Sequence, residues 1–297
     1  MVVIEQKNTL RNLLVRDAMR RQVVQLDQSK SIDHTITILI KYKVNALLVV
    51  DNGKNPVGVV SKTDIMGAYY AGLPIDSPIE DIMVSPPLFC NQDDSLEGAL
   101  ESMREKGVYR LYILENKGGT VVGALAYPDI VGLLYRFCHQ CEYNHLRSKK
   151  RSTGDFVRRF TVREVMTTEV QAISMYESLH VVMEDLSAYR FGAVLIVDGD
   201  DIPCGIISKT DLVLTYKHGV DATDAAHTIM SSPVHTCSVD LLLEEATKKM
   251  IMADIHRLFV HDGGRTDIVG VISLSDTARV RSGSCHGCVS SRIKVET

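Results

Sequence analysis

Residues 205 to 212 read Gly-Ile-Ile-Ser-Lys-Thr-Asp-Leu, and three other stretches of the chain repeat this pattern. Residues 58 to 65 read Gly-Val-Val-Ser-Lys-Thr-Asp-Ile, and residues 270 to 277 read Gly-Val-Ile-Ser-Leu-Ser-Asp-Thr. A weaker copy, Gly-Ala-Leu-Ala-Tyr-Pro-Asp-Ile, occupies residues 123 to 130. Each copy is typical of a strand that turns directly into a helix. We expect such a turn to present free backbone N–H groups at the positive end of the helix, which suits a phosphate.

The four copies keep a fixed register. Their aspartates recur at intervals of 65, 82 and 65 residues: Asp64, Asp129, Asp211 and Asp276. A methionine ahead of each copy recurs at intervals of 64, 83 and 64 residues: Met19, Met83, Met166 and Met230. Because alternate copies lie 147 residues apart by both landmarks, a pair of repeats has been duplicated, with a connector between the two pairs.

Each repeat carries the same pattern of predicted elements. A helical stripe, which begins in the first copy with Ile32, Thr35 and Leu39, has equivalents in the other three copies. An apolar strand follows at residues 46–50 and its counterparts, and then a turn rich in Gly, Asn and Asp. The sequence therefore predicts an α/β fold in which each repeat has a small three-stranded sheet and two packing helices.

Composition narrows the class of protein. The chain has 297 residues, of which 45% are hydrophobic and 24% charged, with a formal net charge of -4. These values are ordinary for a globular protein and argue against a generic nucleic-acid binder. No apolar run is long enough for a membrane span, and charge occurs too early for a secretory signal. With seven cysteines, an odd number, we expect a cytoplasmic protein without a membrane partner.

The order of methionine turn, helix, apolar hairpin and Gly-x-x-Ser-x-Thr/Ser-Asp resembles the CBS (cystathionine β-synthase-type) domain. Four copies in two pairs resemble two Bateman modules over residues 10 to 280. The resemblance implies pseudo-twofold pairs whose inter-repeat clefts bind AMP, ADP, ATP, S-adenosylmethionine or a dinucleotide. It further implies a regulatory sensor that passes the change to an unidentified effector protein or enzyme, and we expect a homodimer.

The resemblance also predicts the division of the chain. The expected parts are a first CBS pair at 1–141 (repeats about 10–72 and 76–141), a basic linker at 142–159, a second pair at 160–288 (repeats about 160–220 and 224–283) and a cysteine-containing tail at 284–297.

By resemblance, the motif aspartate holds the ribose diol and the neighbouring hydroxyls meet the phosphates. The positions that match are Ser61, Thr63, Asp64, Ser208, Thr210, Asp211, Ser273, Ser275 and Asp276. The second copy has Ala126 and Pro128 in place of hydroxyls, so we do not expect ligand at Asp129. The alternative for each aspartate is a helix cap worth about 1 kcal/mol. We favour ligand binding because a cap needs one oxygen rather than three.

Two lysines of the motif are further candidates. Lys62 and Lys209 lie in the first turn of their helices, where a cation faces the unfavourable end of the dipole. A bound phosphate would reverse that penalty, and a solvated lysine is the alternative.

The start of each predicted hairpin supplies the remaining candidates. Arg110 and the pair His256 and Arg257 open the hairpin in the second and fourth copies, where the family has a phosphate-facing His-Arg pair. Arginine suits bidentate phosphate contact, and a surface salt bridge is the alternative. Ala46 and Ala193 fill the position in the other copies and are small enough to admit an adenine ring.

Two C-x-x-C pairs, Cys138 with Cys141 and Cys285 with Cys288, each begin nine residues after a motif aspartate. Four thiolates at this spacing fit a zinc site or two dithiol switches, with inert thiols as the alternative. A metal- or redox-responsive protein with CBS pairs as scaffold is therefore the alternative function.

Residues 147–159 hold six basic residues and one acid. We interpret them as a solvated linker, because no aromatic residues alternate with the charges in the manner of a nucleic-acid contact. The sequence contains no Walker A loop, His-Glu-x-x-His or Gly-x-Ser-x-Gly motif, and we expect no enzyme activity.

Overall fold

A computed structural model describes residues 12–115, 119–140 and 160–279, and these residues form four three-stranded sheets with their helices. The first repeat follows the short helix α1 (Val15–Ala18) and contains β1 (Gln25–Asp27), α2 (Ile32–Lys41), β2 (Ala46–Val50), β3 (Pro56–Ser61) and α3 (Lys62–Tyr70). The second contains β4 (Phe89–Asn91), α4 (Leu96–Glu105), β5 (Arg110–Leu114), β6 (Val121–Ala126) and α5 (Tyr127–Gln140). The third contains β7 (Ala172–Ser174), α6 (Leu179–Ala188), β8 (Ala193–Val197), β9 (Pro203–Ser208) and α7 (Lys209–Lys217). The fourth contains β10 (Thr236–Ser238), α8 (Leu243–Met252), β11 (Arg257–His261), β12 (Ile268–Ser273) and α9 (Leu274–Arg279). The predicted α/β class and the order of elements are confirmed.

The four sheets share one topology. In the first repeat β1 runs parallel to β2, and β2 pairs antiparallel with β3. The hairpin register shifts between Val49 and Val50, and the other three hairpins shift at the equivalent position. A single sequence pattern therefore builds a single local geometry four times.

The predicted helical stripe forms the buried face of its helix in every repeat. In α2, Ile32, Thr35 and Leu39 are all fully buried. Ser31 caps this helix by accepting a hydrogen bond from the His34 amide at 3.2 Å. The equivalent side chains of the other repeats are at most 7% exposed: Leu96, Ala99, Met103, Leu179, Val182, Leu186, Leu243, Ala246 and Met250.

The methionine and glycine landmarks meet in three dimensions. The segment ahead of each repeat pairs with the last strand of a different repeat, as Arg20 does with Ala124. The landmark methionine then lies over the first glycine of the motif. A Cβ added to Gly58 would lie 2.6 Å from the Met83 sulfur, which no real contact allows. Close packing therefore explains why both residues recur with nearly the same period.

The chain divides into two compact units, each built from alternate repeats. The odd unit (repeats one and three) takes its described residues from Val23–Leu88 and Val170–Val234. The even unit (repeats two and four) takes them from Met1–Gln22, Phe89–Glu169 and His235–Thr297. Helix α3 packs on α7 in the odd unit, and α5 packs on α9 in the even unit. The pairing of repeats that are neighbours in sequence stays a prediction.

The core of the odd unit lies between its sheets and helices. The buried faces of α2 and α6 contribute to one hydrophobic cluster with α3 and α7. Within this cluster the rings of Tyr69 and Tyr216 stack with centroids 5.0 Å apart, and their hydroxyls donate to the carbonyls of Val220 and Leu73. None of the helices in the described ranges combines the length and apolarity that crossing a bilayer needs.

Candidate functional site

The motif residues of the odd unit hold the start of their helix. The Ser61 hydroxyl accepts from the amides of Thr63 and Asp64 at 3.2 and 3.4 Å. In return, Oδ2 of Asp64 accepts from the Ser61 amide and hydroxyl, both at 2.7 Å. Ser208 and Asp211 form the same capping box. The capping function that sequence offered as an alternative is therefore present, and it uses the serine and one carboxylate oxygen.

The expected free backbone N–H groups are not found at the start of α3. The Lys62 amide donates to the Asn45 carbonyl at 3.0 Å, and the next two amides donate to Ser61. In α7 the Lys209 amide likewise donates to the Gly192 carbonyl at 3.2 Å. This expectation was wrong because the preceding loop and the serine cap satisfy these donors. A phosphate at either turn must therefore be held by side chains.

In the odd unit, each of the two motif lysines donates a hydrogen bond to the helix of the other repeat. Nζ of Lys62 donates to Oγ1 of Thr210, and Nζ of Lys209 donates to Oγ1 of Thr63, both at 2.9 Å. Burial lowers the pKa of Lys62, partly opposed by the charge of Asp211. Both ammonium groups thus contact the other helix, so neither lysine is merely solvated.

Asp64 lies beside this lysine–threonine crossover (Lys62, Thr63, Lys209 and Thr210). Burial raises the pKa of Asp64, and the hydrogen bonds from Ser61 and the charge of Lys209 act in the opposite direction. Cations, hydroxyls and carboxylates of two repeats are therefore concentrated where α3 and α7 begin.

In the even unit the fourth motif forms a similar cap. Oδ2 of Asp276 accepts from the Ser273 amide at 2.9 Å and from the Ser273 hydroxyl at 2.6 Å. The hydroxyls of Ser273 and Ser275 lie 2.7 Å apart. His256 stacks on Tyr109 of the second repeat, with ring centroids 6.3 Å apart and planes at 11°. The predicted hydroxyls, carboxylate and histidine are thus all found at this end of the unit.

Arg257 supplies a positive charge to this region of the even unit. It begins β11 directly opposite Ser273, the last residue of β12. Burial lowers the pKa of its guanidinium, while Tyr109 and Asp276 act in the opposite direction. The guanidinium makes no hydrogen bond or ion pair with any residue in the described ranges. Among the described residues, the surface salt bridge expected as the alternative for this arginine is therefore not formed.

The first residue of the hairpin occupies the same position in all four sheets. Ala46 and Ala193 lie opposite Ser61 and Ser208, and Arg110 lies opposite Ala126. The two alanines are 8% and 7% exposed. The register inferred from sequence is therefore the observed one, and adenine binding beside the alanines stays a prediction.

In two repeats the residue after the landmark methionine contacts the motif aspartate, and sequence reasoning missed it. Arg20 forms an ion pair with Oδ1 of Asp129, whose side chain is only 7% exposed. At the equivalent position, Ser231 donates to Oδ1 of Asp211 at 3.2 Å. The constant methionine interval was a signal that could have directed attention to these residues.

The predicted cysteine site lies outside the described residues. Cys138 lies in α5, but its side chain is outside the described residues, as are Cys141, Cys285 and Cys288. Residues 147–159 of the basic linker are outside them as well. Over the ranges that are described, no three metal-binding side chains come together.

The fold and these sites define a protein of four homologous α/β repeats with a capped Ser-x-x-Asp turn in each motif except the second. The sequence profile of the CBS domain matches residues 15–71, 79–136, 162–217 and 225–283, more than half of the chain. The protein therefore belongs to the CBS-domain family.

Three relatives illustrate this relationship. The uncharacterized protein MK0525 of Methanopyrus kandleri is 32% identical over 127 residues, 42% of this chain and 64% of its own length. The uncharacterized protein MJ1225 of Methanocaldococcus jannaschii is 22% identical over 202 residues, 67% of this chain and 68% of its own. Its crystal structure, described as that of a candidate archaeal homologue of g-AMPK, superposes with a TM-score of 0.73 and covers 89% of this chain and 98% of its own at 17% identity. At this identity the likeness shows the fold.

A homoserine O-acetyltransferase of Methanosphaera stadtmanae is 26% identical over 126 residues, 42% of this chain. The match covers only 25% of that enzyme. This chain thus spans less than two thirds of the MK0525 relative and a quarter of the acetyltransferase.

Proposed function

We propose that this protein is a regulatory sensor that binds an adenosine-containing ligand, AMP, ADP, ATP or S-adenosylmethionine, and passes the change to a partner protein. Membership of the CBS-domain family over four repeats supports the proposal. The observation that carries it is Arg257, a cation without a described partner beside the hydroxyls of Ser273 and Ser275 and the carboxylate of Asp276.

An arginine in this position is costly to the folded protein unless it meets an anion. Arg257 is partly buried, burial lowers the pKa of its guanidinium, and Asp276 uses Oδ2 for the Ser273 cap. A phosphate would accept several hydrogen bonds from the planar guanidinium at once. The stacked rings of Tyr109 and His256 lie beside it. Cation, hydroxyls, carboxylate and aromatic rings together suit a nucleotide.

Regulation then follows from differential affinity. A ligand that contacts elements of two repeats favours the arrangement in which both contacts are made. The shift in population is limited by the ratio of its affinities for the two arrangements. A partner protein that binds one arrangement more tightly would respond to this shift in population. A homodimer would offer such a partner two copies of the chain.

Titration calorimetry of the full chain with AMP, ADP, ATP and S-adenosylmethionine tests the proposal, with GMP as the control ligand. Arg257→Met should weaken AMP binding about 10- to 100-fold, the size of one or two charge-assisted hydrogen bonds. The matched control is Arg104→Met in the same unit, because Arg104 forms an exposed pair with Glu101. Absence of adenosyl binding, or equal affinities for the Arg257 and Arg104 variants, would contradict the proposal.

A further inference from the structure

The four motif aspartates are not equivalent in three dimensions. We propose that Asp64 and Asp276 are the two carboxylates open to a ribose diol, and that Arg20 closes the carboxylate of Asp129. Asp211 is partly engaged by Ser231 and binds more weakly. The inference rests on the proposed function, since it assigns the sugar of that ligand to particular copies of the motif.

Each motif carboxylate has already committed one oxygen to its own helix. In every copy, Oδ2 accepts from the backbone amide three residues earlier, at 2.7 to 2.9 Å. The donors are the amides of Ser61, Ala126, Ser208 and Ser273. The cap leaves Oδ1 without a bond from its own helix, so the partner of Oδ1 determines how readily a ligand hydroxyl can bind there.

The partner of Oδ1 differs among the copies. Oδ1 of Asp129 accepts from the Arg20 guanidinium, and Oδ1 of Asp211 accepts from the Ser231 hydroxyl at 3.2 Å. Over the described parts of the chain, no hydrogen bond reaches Oδ1 of Asp64 or of Asp276. Among the described residues, Asp64 and Asp276 therefore keep Oδ1 available, Asp211 is partly engaged and Asp129 is ion-paired.

The ion pair between Arg20 and Asp129 is difficult for a ligand hydroxyl to displace. An ion pair between guanidinium and carboxylate is a strong, charge-assisted contact, and a neutral hydroxyl would have to displace it. The Asp129 side chain is 7% exposed, whereas the Arg20 side chain above it is 59% exposed. The arginine thus covers the carboxylate from the solvent side.

The difference is encoded by one position, the residue after each landmark methionine. Arg20 and Ser231 carry donors that reach Oδ1. The equivalent Val84 has no polar side-chain atom, and it pairs with Val59 only through its backbone. Thr167 pairs with Val271 in the same way, and its hydroxyl makes no hydrogen bond with Asp276. Two of the four copies therefore keep Oδ1 available for a ligand, although all four contain the motif aspartate.

Calorimetry with AMP on four matched variants tests the assignment. Asp64→Asn, Asp129→Asn, Asp211→Asn and Asp276→Asn each keep a side-chain oxygen for the cap, and thermal denaturation verifies that each variant folds. The wild-type chain should show two strong sites. The first and last variants should each lose one, while Asp129→Asn should keep both with affinities within twofold. Loss of a strong site in Asp129→Asn, or two intact strong sites in Asp64→Asn or Asp276→Asn, would overturn the assignment.

The closing contact is tested separately with adenosine, because the second motif lacks phosphate-binding hydroxyls. Arg20→Ala should gain an adenosine site that the double variant Arg20→Ala/Asp129→Asn lacks. The control is Arg16→Ala, which removes a surface pair with Asp93 from the same segment. An unchanged number of sites in Arg20→Ala would refute closure by Arg20. If the wild type binds none of AMP, ADP, ATP, S-adenosylmethionine and adenosine, the proposed function fails too, whereas failures confined to these variants leave it standing.

Discussion

The packing of methionine against glycine makes a quantitative prediction for Gly123→Ala and Gly58→Ala. The three atoms nearest a Cβ at position 58 all belong to the Met83 side chain, at 2.6, 3.0 and 3.2 Å. A Cβ at position 123 lies 2.8 Å from the backbone oxygen of Arg20, which the Ala124 amide holds at 2.9 Å. Overpacking costs about 1–3 kcal/mol. We expect Gly58→Ala near the lower limit, since methionine can repack, and Gly123→Ala near the upper limit.

Calorimetric unfolding of the full chain measures these costs, at about 2–4 °C in melting temperature for each kcal/mol. Gly67→Ala is the control, because a Cβ there meets nothing within 4 Å and helical alanine is about 1 kcal/mol better than glycine. Removing the methionine side chain should relieve the clash, so Gly58→Ala and Met83→Ala should be coupled favourably. Equal melting temperatures for Gly58→Ala and Gly123→Ala, or strict additivity in the cycle, would refute this reasoning.

Three further changes probe the odd unit. Burial raises the pKa of Asp64, so the stabilising contribution of this group is fully present below about pH 4 and is lost as pH rises through the raised pKa. In urea unfolding from pH 4 to 7, the free energy of unfolding of the wild type should fall relative to that of Asp64→Asn as pH rises. A difference that stays constant with pH would contradict burial as the cause. In a double-mutant cycle, the effects of Lys62→Met and Thr210→Val on the free energy of unfolding should be coupled by about 0.5–1.5 kcal/mol, because each removes one end of the same 2.9 Å hydrogen bond. Zero coupling would show that this hydrogen bond does not stabilise the fold. Tyr69→Phe should lower the free energy of unfolding by about 1 kcal/mol, since its hydroxyl donates to a carbonyl at 2.8 Å; unchanged unfolding in urea would argue against that hydrogen bond.

Some features of the candidate site were predictable and others were not. The capping of α3 follows from Ser61 and Asp64 three positions apart, a local pattern that sequence shows directly. The expectation of free amides at the same turn is wrong, because the Asn45 carbonyl that accepts from Lys62 belongs to a loop that the sequence does not place. Local spacing specifies a helix start but not what satisfies its outermost donors.

The sequence by itself determined the four repeats, the strand–helix–hairpin order and the buried stripe that begins at Ile32. These features depend on periods of a few residues and on intervals repeated along the chain, so no contact between distant segments is needed to infer them. Tertiary structure alone decided that Arg20 meets Asp129, 109 residues away, and that Lys62 meets Thr210, 148 residues away. A polar side chain bonds to whichever group packing brings within about 3 Å, and that proximity is a property of the assembled repeats rather than of any one of them.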